Sequence, residues 1–163
     1  MSTVERAIEQ WEREIPELNL LAMAVVGRLK VVTRLVQRDF LEPFFKEYGL
    51  QGGEFDVLAT LRRAGAPYAL GPTQLYEALM ITSGGMTNRL DRLEKAGLIA
   101  RTPNPEDRRG TLVSLTEEGL TLINRIVFLH VENETQALAG LSREEQETLN
   151  RLLGKLIAGF EAS

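Results

Sequence analysis

Four segments decide the fold by their order: Gly71-Pro72-Thr73-Gln74-Leu75-Tyr76-Glu77-Ala78-Leu79-Met80; Met86-Thr87-Asn88-Arg89-Leu90-Asp91-Arg92-Leu93-Glu94-Lys95-Ala96-Gly97; Leu98-Ile99-Ala100-Arg101-Thr102; and Thr111-Leu112-Val113-Ser114-Leu115. Pro72 suits the first position of a helix, where its missing N–H would be unsatisfied anyway, and Leu75, Ala78 and Leu79 share one face of the turns that follow. A turn is expected at Ile81-Thr82, with Ser83 as the N-cap of a second helix. In that helix Met86, Leu90, Leu93 and Gly97 recur at steps of four, three and four, and Gly97 is a C-terminal stop. At about 100° per residue this stripe leaves Asn88, Asp91, Arg92 and Lys95 on the opposite face. The two apolar, β-prone runs read as a hairpin, with Pro103, Asn104, Pro105 and Gly110 setting off a long tip that carries Glu106-Asp107-Arg108-Arg109. Helix, turn, helix, arginine-tipped hairpin is the order of a winged helix-turn-helix. The expected fold class is therefore mainly α with a small β-hairpin wing, flanked by N- and C-terminal dimerisation helices.

Outward from this unit, the 163 residues suffice to bury a core. A net charge of −4 argues against a nucleic-acid binder if charge is averaged over the chain. Location changes that reading. Residues 86–112 hold six basic side chains against four acidic ones, an excess of +2, so the remainder of the chain carries −6. The absence of cysteine excludes disulfide scaffolds, thiolate metal sites and cysteine nucleophiles. The longest apolar run, Leu20 to Val26, is too short to span a bilayer, and no secretory signal opens the chain, so a cytoplasmic location is expected.

The flanks carry helices with faces in need of partners. Residues 18–47 read as one long helix, a rod of roughly 45 Å, with Leu21, Val25, Leu29, Val32, Val36, Phe40 and Phe44 along it. Thr116 caps a helix with Glu117 and Glu118 in its first turn, and Ser142-Arg143-Glu144-Glu145 is a capping box before Leu149, Leu152, Leu153, Leu156, Ile157 and Phe160. The predicted organisation is N-terminal ligand and dimerisation helices over 1–48, the winged unit over 49–119 and C-terminal dimerisation helices over 120–163. A symmetric dimer is preferred over a monomeric helical bundle, because two recognition helices must be fixed about one helical turn of DNA apart, roughly 34–36 Å.

The run from Met86 to Ile99, then Pro105-Glu106-Asp107-Arg108-Arg109, then Leu115-Thr116-Glu117-Glu118-Gly119, resembles the MarR family of bacterial transcriptional regulators. The resemblance implies a homodimer that binds pseudo-palindromic double-stranded DNA and usually represses until a small ligand arrives. Ser83, Thr87, Asn88, Arg92 and Lys95 are then the expected groove contacts, and Gly84 and Gly85 let backbone approach closely. Arg109 matches the wing arginine that the family places in the minor groove, Arg108 is expected at phosphate, and Asp107 orients the wing. Singly, each such side chain also fits a solvated charged face; the ordered set favours DNA.

A further amphipathic segment, Ser2 to Ile15, opens with a Ser2-x-x-Glu5 capping box, closes at Pro16 and carries the only tryptophan, Trp11. Arg89 falls about 70° from the centre of the apolar stripe, a poor place for a charge unless something anionic meets it. Trp11, Asp56, Arg89 and Arg101 together resemble the ligand-binding quartet of the urate-responsive, PecS- and HucR-like subgroup. Urate is a flat monoanion, so an arginine can neutralise it, an aspartate can accept its ring N–H groups and an aromatic can cover its face. Taken alone, Asp56 also reads as a first-turn carboxylate opposing the helix dipole, and Arg101 as a phosphate contact. No cofactor is expected. The alternative is a MarR-type regulator of phenolic or antibiotic-like ligands. A metal sensor or enzyme built on His130 and Glu134 is more distant, for one histidine without cysteine is a thin ligand set.

Overall fold

The computed structural model describes residues 2–80 and 85–162, which divide into two compact units, Met1–Pro43 and Phe44–Ser163. In the first, α1 (Thr3–Glu14) is opened by the Ser2/Glu5 capping box: Glu5 N–H donates to Ser2 Oγ at 3.2 Å and Ser2 N–H to Glu5 Oε2 at 2.7 Å. That backbone bond holds the Glu5 carboxyl below its usual range. α1 lies on α2 (Leu20–Val36), approaching closely where Val4 faces Gly27. Ala24 is the only buried residue of α2.

The expected uninterrupted helix over 18–47 is not formed. It starts at Leu20, capped by Asn19, and after Val36 passes through a π turn, Gln37–Leu41, before α3 (Glu42–Glu47). Val36, Phe40 and Phe44 recur in steps of four, a spacing longer than the 3.6-residue turn; a wider turn absorbs the accumulated drift.

In the second unit α4 (Glu54–Arg63) is central, burying Phe55, Val57, Leu58, Thr60 and Leu61, and it packs against α5 (Pro72–Ala78), α6 (Met86–Lys95), α7 (Glu117–Ala137) and the sheet. Leu75, Leu79, Met86, Leu90 and Leu93 complete the helix-turn-helix core, while Ala78, expected inside, faces solvent. The helix formers end at Ala78 and Leu79 turns extended, which carries its side chain inward instead. Ile81, Thr82, Ser83 and Gly84 lie outside the described residues. The residue before α6 is Gly85 at φ 89°, and the cap expected at Ser83 lies outside the described residues. The C-terminal stop is as expected: Gly97 takes φ 74°, its N–H reaches Glu94 O at 2.9 Å, and Leu98 N–H reaches Leu93 O at 3.0 Å, the paired bonds of a Schellman motif.

The wing strands are longer than the sequence suggested. β2 (Ile99–Asn104) and β3 (Asp107–Leu115) stay paired down to Asn104 opposite Asp107, so the long tip contracts to Pro105-Glu106. Local side-chain bonds shape it: Glu106 N–H donates to Asn104 Oδ1 and Arg109 N–H to Asp107 Oδ1, each at 3.0 Å. A short strand absent from the sequence reading, β1 (Ala69–Leu70), pairs antiparallel with β3, giving the order β1-β3-β2. Thr116 then caps α7 through Gly119 N–H (3.0 Å) while donating to Gly97 O (2.6 Å). The first turn of α7 approaches the connection between α6 and β2 so closely that a Cβ on Gly119 would lie 1.9 Å from Leu98 O. α8 (Arg143–Glu161) has the expected Ser142/Glu145 capping box but buries no residue, and Leu152, Leu156, Ile157 and Phe160 are exposed.

Candidate nucleic-acid interface and effector cluster

The exposed face of α6 presents Thr87, Asn88, Asp91, Arg92 and Lys95, and the wing presents Arg108 and Arg109. Among the described residues no ion pair engages Lys95, Arg108 or Arg109. Arg92 is different. Its Nε donates to Glu54 Oε1 at 2.7 Å, and that carboxylate is 2% exposed. The other carboxylate oxygen accepts Gln51 N–H, also at 2.7 Å.

Arg101 is held by carboxylates of α6. Its Nη2 lies 2.6 Å from Asp91 Oδ1 and 2.9 Å from Glu94 Oε1, and its own N–H donates to Glu94 Oε2 at 3.1 Å. The hydrogen bonds that Arg101 donates to Glu94, then the one to Asp91, raise the arginine above its ordinary value, and the same contact holds the Glu94 carboxyl below its own. This clamp ties the first wing strand to the recognition helix and offsets one of the two negative charges that oppose phosphate there.

Arg89 turns inward. Its guanidinium lies against Gly53, the cap residue of α4 at φ 81°, so closely that a Cβ there would stand 2.5 Å from Cζ and 2.6 Å from Nε. Asp56 is on the same first turn, with its side chain 15% exposed and Arg63 Nη1 at 3.9 Å. Arg63 also donates through Nη2 to the Ala78 carbonyl at the end of α5. Of the expected quartet, Asp56 and Arg89 thus meet α4 at its first turn. Arg101 does not join them: its partners Asp91 and Glu94 lie about 200° and 140° around α6 from Arg89. Trp11, in the first unit, is 42% exposed.

His130 lies in an aromatic cluster. Its ring packs 4.3 Å from Phe55, 5.6 Å from Phe45 and 5.7 Å from Phe44, with Nε2 3.1 Å from Glu134. Among the described residues no three His, Cys, Asp or Glu side chains gather as a metal set.

Sequence reasoning missed Glu54 and Arg63. For Glu54 a signal existed: it occupies the apolar stripe of α4 with Val57, Leu58 and Leu61, at i, i+3, i+4 and i+7, and an acid there requires a partner.

A sequence model described as the MarR family matches residues 48–110. The chain is 48% identical over 153 residues to the HTH-type transcriptional regulator PecS of Dickeya dadantii, an alignment covering 94% of this chain and 92% of that one. The chain belongs to the MarR family. Its fold matches a mutant of Escherichia coli MarR complexed with operator DNA, with TM-score 0.70 and 28% identity over 90% of this chain and 96% of that one. It also matches BpsR of Bordetella bronchiseptica, whose DNA binding is regulated by 6-hydroxynicotinic acid, with TM-score 0.68 and 28% identity over 80% and 91%. This MarR-family chain is accordingly a winged-helix, DNA-binding transcriptional regulator and not an enzyme. Among the described residues no helix is long and apolar enough to cross a membrane.

Proposed function

We propose that the chain is a cytoplasmic homodimeric repressor that binds a pseudo-palindromic operator and is released by urate or a related purine anion. The observation that carries this reading is the first turn of α4, where the half-buried Arg89 of the recognition helix reaches Gly53 beside Asp56. A flat anion held there acts on a residue of the DNA-reading helix itself. Drawing Arg89 toward a ligand displaces α6; Trp11 and Arg101 belong to this set by the sequence resemblance alone. A differential affinity of about 1–3 kcal/mol changes occupancy 5- to 150-fold. The dimer reading rests on α8, which buries nothing in the single chain and exposes Leu156, Ile157 and Phe160 at 46%, 55% and 74%. Arg109 at the wing tip and Thr87, Asn88, Arg92 and Lys95 on α6 make the DNA contacts, with Arg108 at phosphate. Ser83 belongs to this set by its place in the sequence.

A duplex selected by the protein from a randomised pool supplies the test. Urate is expected to release it, and to raise the melting temperature by an amount equivalent to about 2.7 kcal/mol at a hundredfold excess over its dissociation constant. Trp11→Ala and Asp56→Ala should still bind the duplex but need more urate to let go. Release at an unchanged urate concentration would sink the purine site in favour of the phenolic-ligand reading.

A further inference from the structure

Glu54 is a buried carboxylate: one oxygen closes the turn before α4 by accepting Gln51 N–H, and its pairing with Arg92 through the other is not needed for that. Extracting an ion pair from water costs about as much as the pairing returns, so the Arg92 contact adds little to stability, and closing the turn at Gln51 needs only an acceptor at Glu54. The pair has a particular geometry. Gln51 N–H occupies Oε2, which leaves Oε1 for Arg92, and Arg92 uses Nε for it. Among the described residues nothing hydrogen-bonds Nη1 or Nη2, and the Arg92 side chain is 50% exposed. A guanidinium has five N–H donors in a rigid plane, so fixing the Nε edge from the protein side fixes the outward direction of the Nη pair. Arg92 shares the exposed face of α6 with Asn88 at i−4 and Lys95 at i+3, the face the fold offers to the major groove. There the only base edge presenting two acceptors to such a fork is guanine, through O6 and N7.

We propose that Glu54 is a positioning residue for sequence readout: by holding Arg92 through Nε, it aims the Nη1/Nη2 fork at a guanine in each half-site. The inference rests on the proposed DNA contacts of α6 and adds to them the base that Arg92 reads and the buried residue that aims it. Arg89, turned toward Gly53, and Arg101, clamped on Asp91 and Glu94, are placed for other work.

The experiment is selection from a randomised duplex pool by the full-length protein and by Glu54→Gln, Arg92→Lys and Arg92→Ala, each checked for an intact melting transition. The intact protein is expected to select a guanine at one symmetric pair of positions. Arg92→Ala should reduce preference there by about 5- to 150-fold, the range for one bidentate contact. Arg92→Lys removes the Nε donor that Glu54 holds but still offers donors to guanine O6 and N7, so its guanine preference should no longer respond to Glu54→Gln. Glu54→Gln should weaken preference at that position alone, and should add nothing in the Arg92→Ala background. Equal loss at all positions in Glu54→Gln, with Arg92→Ala confined to one, would leave Arg92 as a reader but overturn the role of Glu54. Where Glu54→Gln fails to fold, Glu54→Asp decides: its shorter carboxylate withdraws the Nε contact, and an undiminished guanine preference overturns the proposal. Unchanged selection by Arg92→Ala also overturns it, while failure of the intact protein to select any sequence would overturn the underlying reading of α6.

Discussion

Gly53→Ala perturbs the junction between α4 and α6 with two separable effects. The backbone there has φ 81°, a left-handed conformation that costs an L-residue about 1–2 kcal/mol. Alanine offsets part of this by reducing the freedom of the unfolded chain, leaving a net loss of about 1 kcal/mol. For a chain of this size that lowers the melting temperature by about 2–4 °C. The new Cβ would also stand 2.5, 2.6 and 2.8 Å from Cζ, Nε and Nη1 of Arg89. Contact distance is about 3.5 Å, so the guanidinium must withdraw by about 1 Å. It ends a flexible side chain and swings aside rather than forcing the helices apart. Scanning calorimetry at fixed protein concentration reads the first effect, and urate titration of the protein–duplex complex reads the second. In an Arg89→Ala background Gly53→Ala should still cost its backbone strain yet change the urate response no further. An unshifted melting temperature together with an undiminished urate response in Gly53→Ala would refute the reasoning, because Arg89 would then not rest on this turn.

Three further outcomes are expected. Arg109→Ala should weaken binding to every duplex and reduce the slope of log affinity against log salt by about one unit; a loss confined to the selected sequence would exclude a backbone or minor-groove role. Removing residues 144–163 should leave a monomer, and light scattering that shows an intact dimer would place the interface elsewhere. The Arg101 clamp depresses Glu94 below its ordinary 4.5, so its contribution is fully present above that value and is lost as pH falls through the lower folded value. NMR titration of the Glu94 carboxyl should find a midpoint below 4.5, and one at or above it would mean the clamp is open in solution.

Features closed by bonds between residues three to five apart were legible in the sequence. The capping boxes at Ser2/Glu5 and Ser142/Glu145, the Thr116 cap and the Gly97 stop each have their donor, acceptor and required backbone conformation within one turn of chain. Periodicity also set the faces of α6, including the inward lean of Arg89. Hydrogen bonding across longer separations was not legible. The strand β1 exists because Ala69 and Leu70 meet Ser114 and Val113, and two residues of sequence give no period to detect. The wing kept its pairing past Pro103 because the Asn104 and Asp107 side chains satisfy the turn, which composition had marked only as a loop. Charge pairing was the least legible of all. Arg92 and Arg101 look alike as basic residues of one motif, but one is held by a carboxylate 38 residues away and the other by two on the neighbouring helix. The sequence by itself determined the caps of α1, α7 and α8, the stop of α6 and the side that α6 buries, because those choices are made by nearest neighbours along the chain. Only the tertiary structure decided which cations are committed inside the protein and which remain to meet DNA, because a charge takes its partner from whatever the fold brings within about 3 Å.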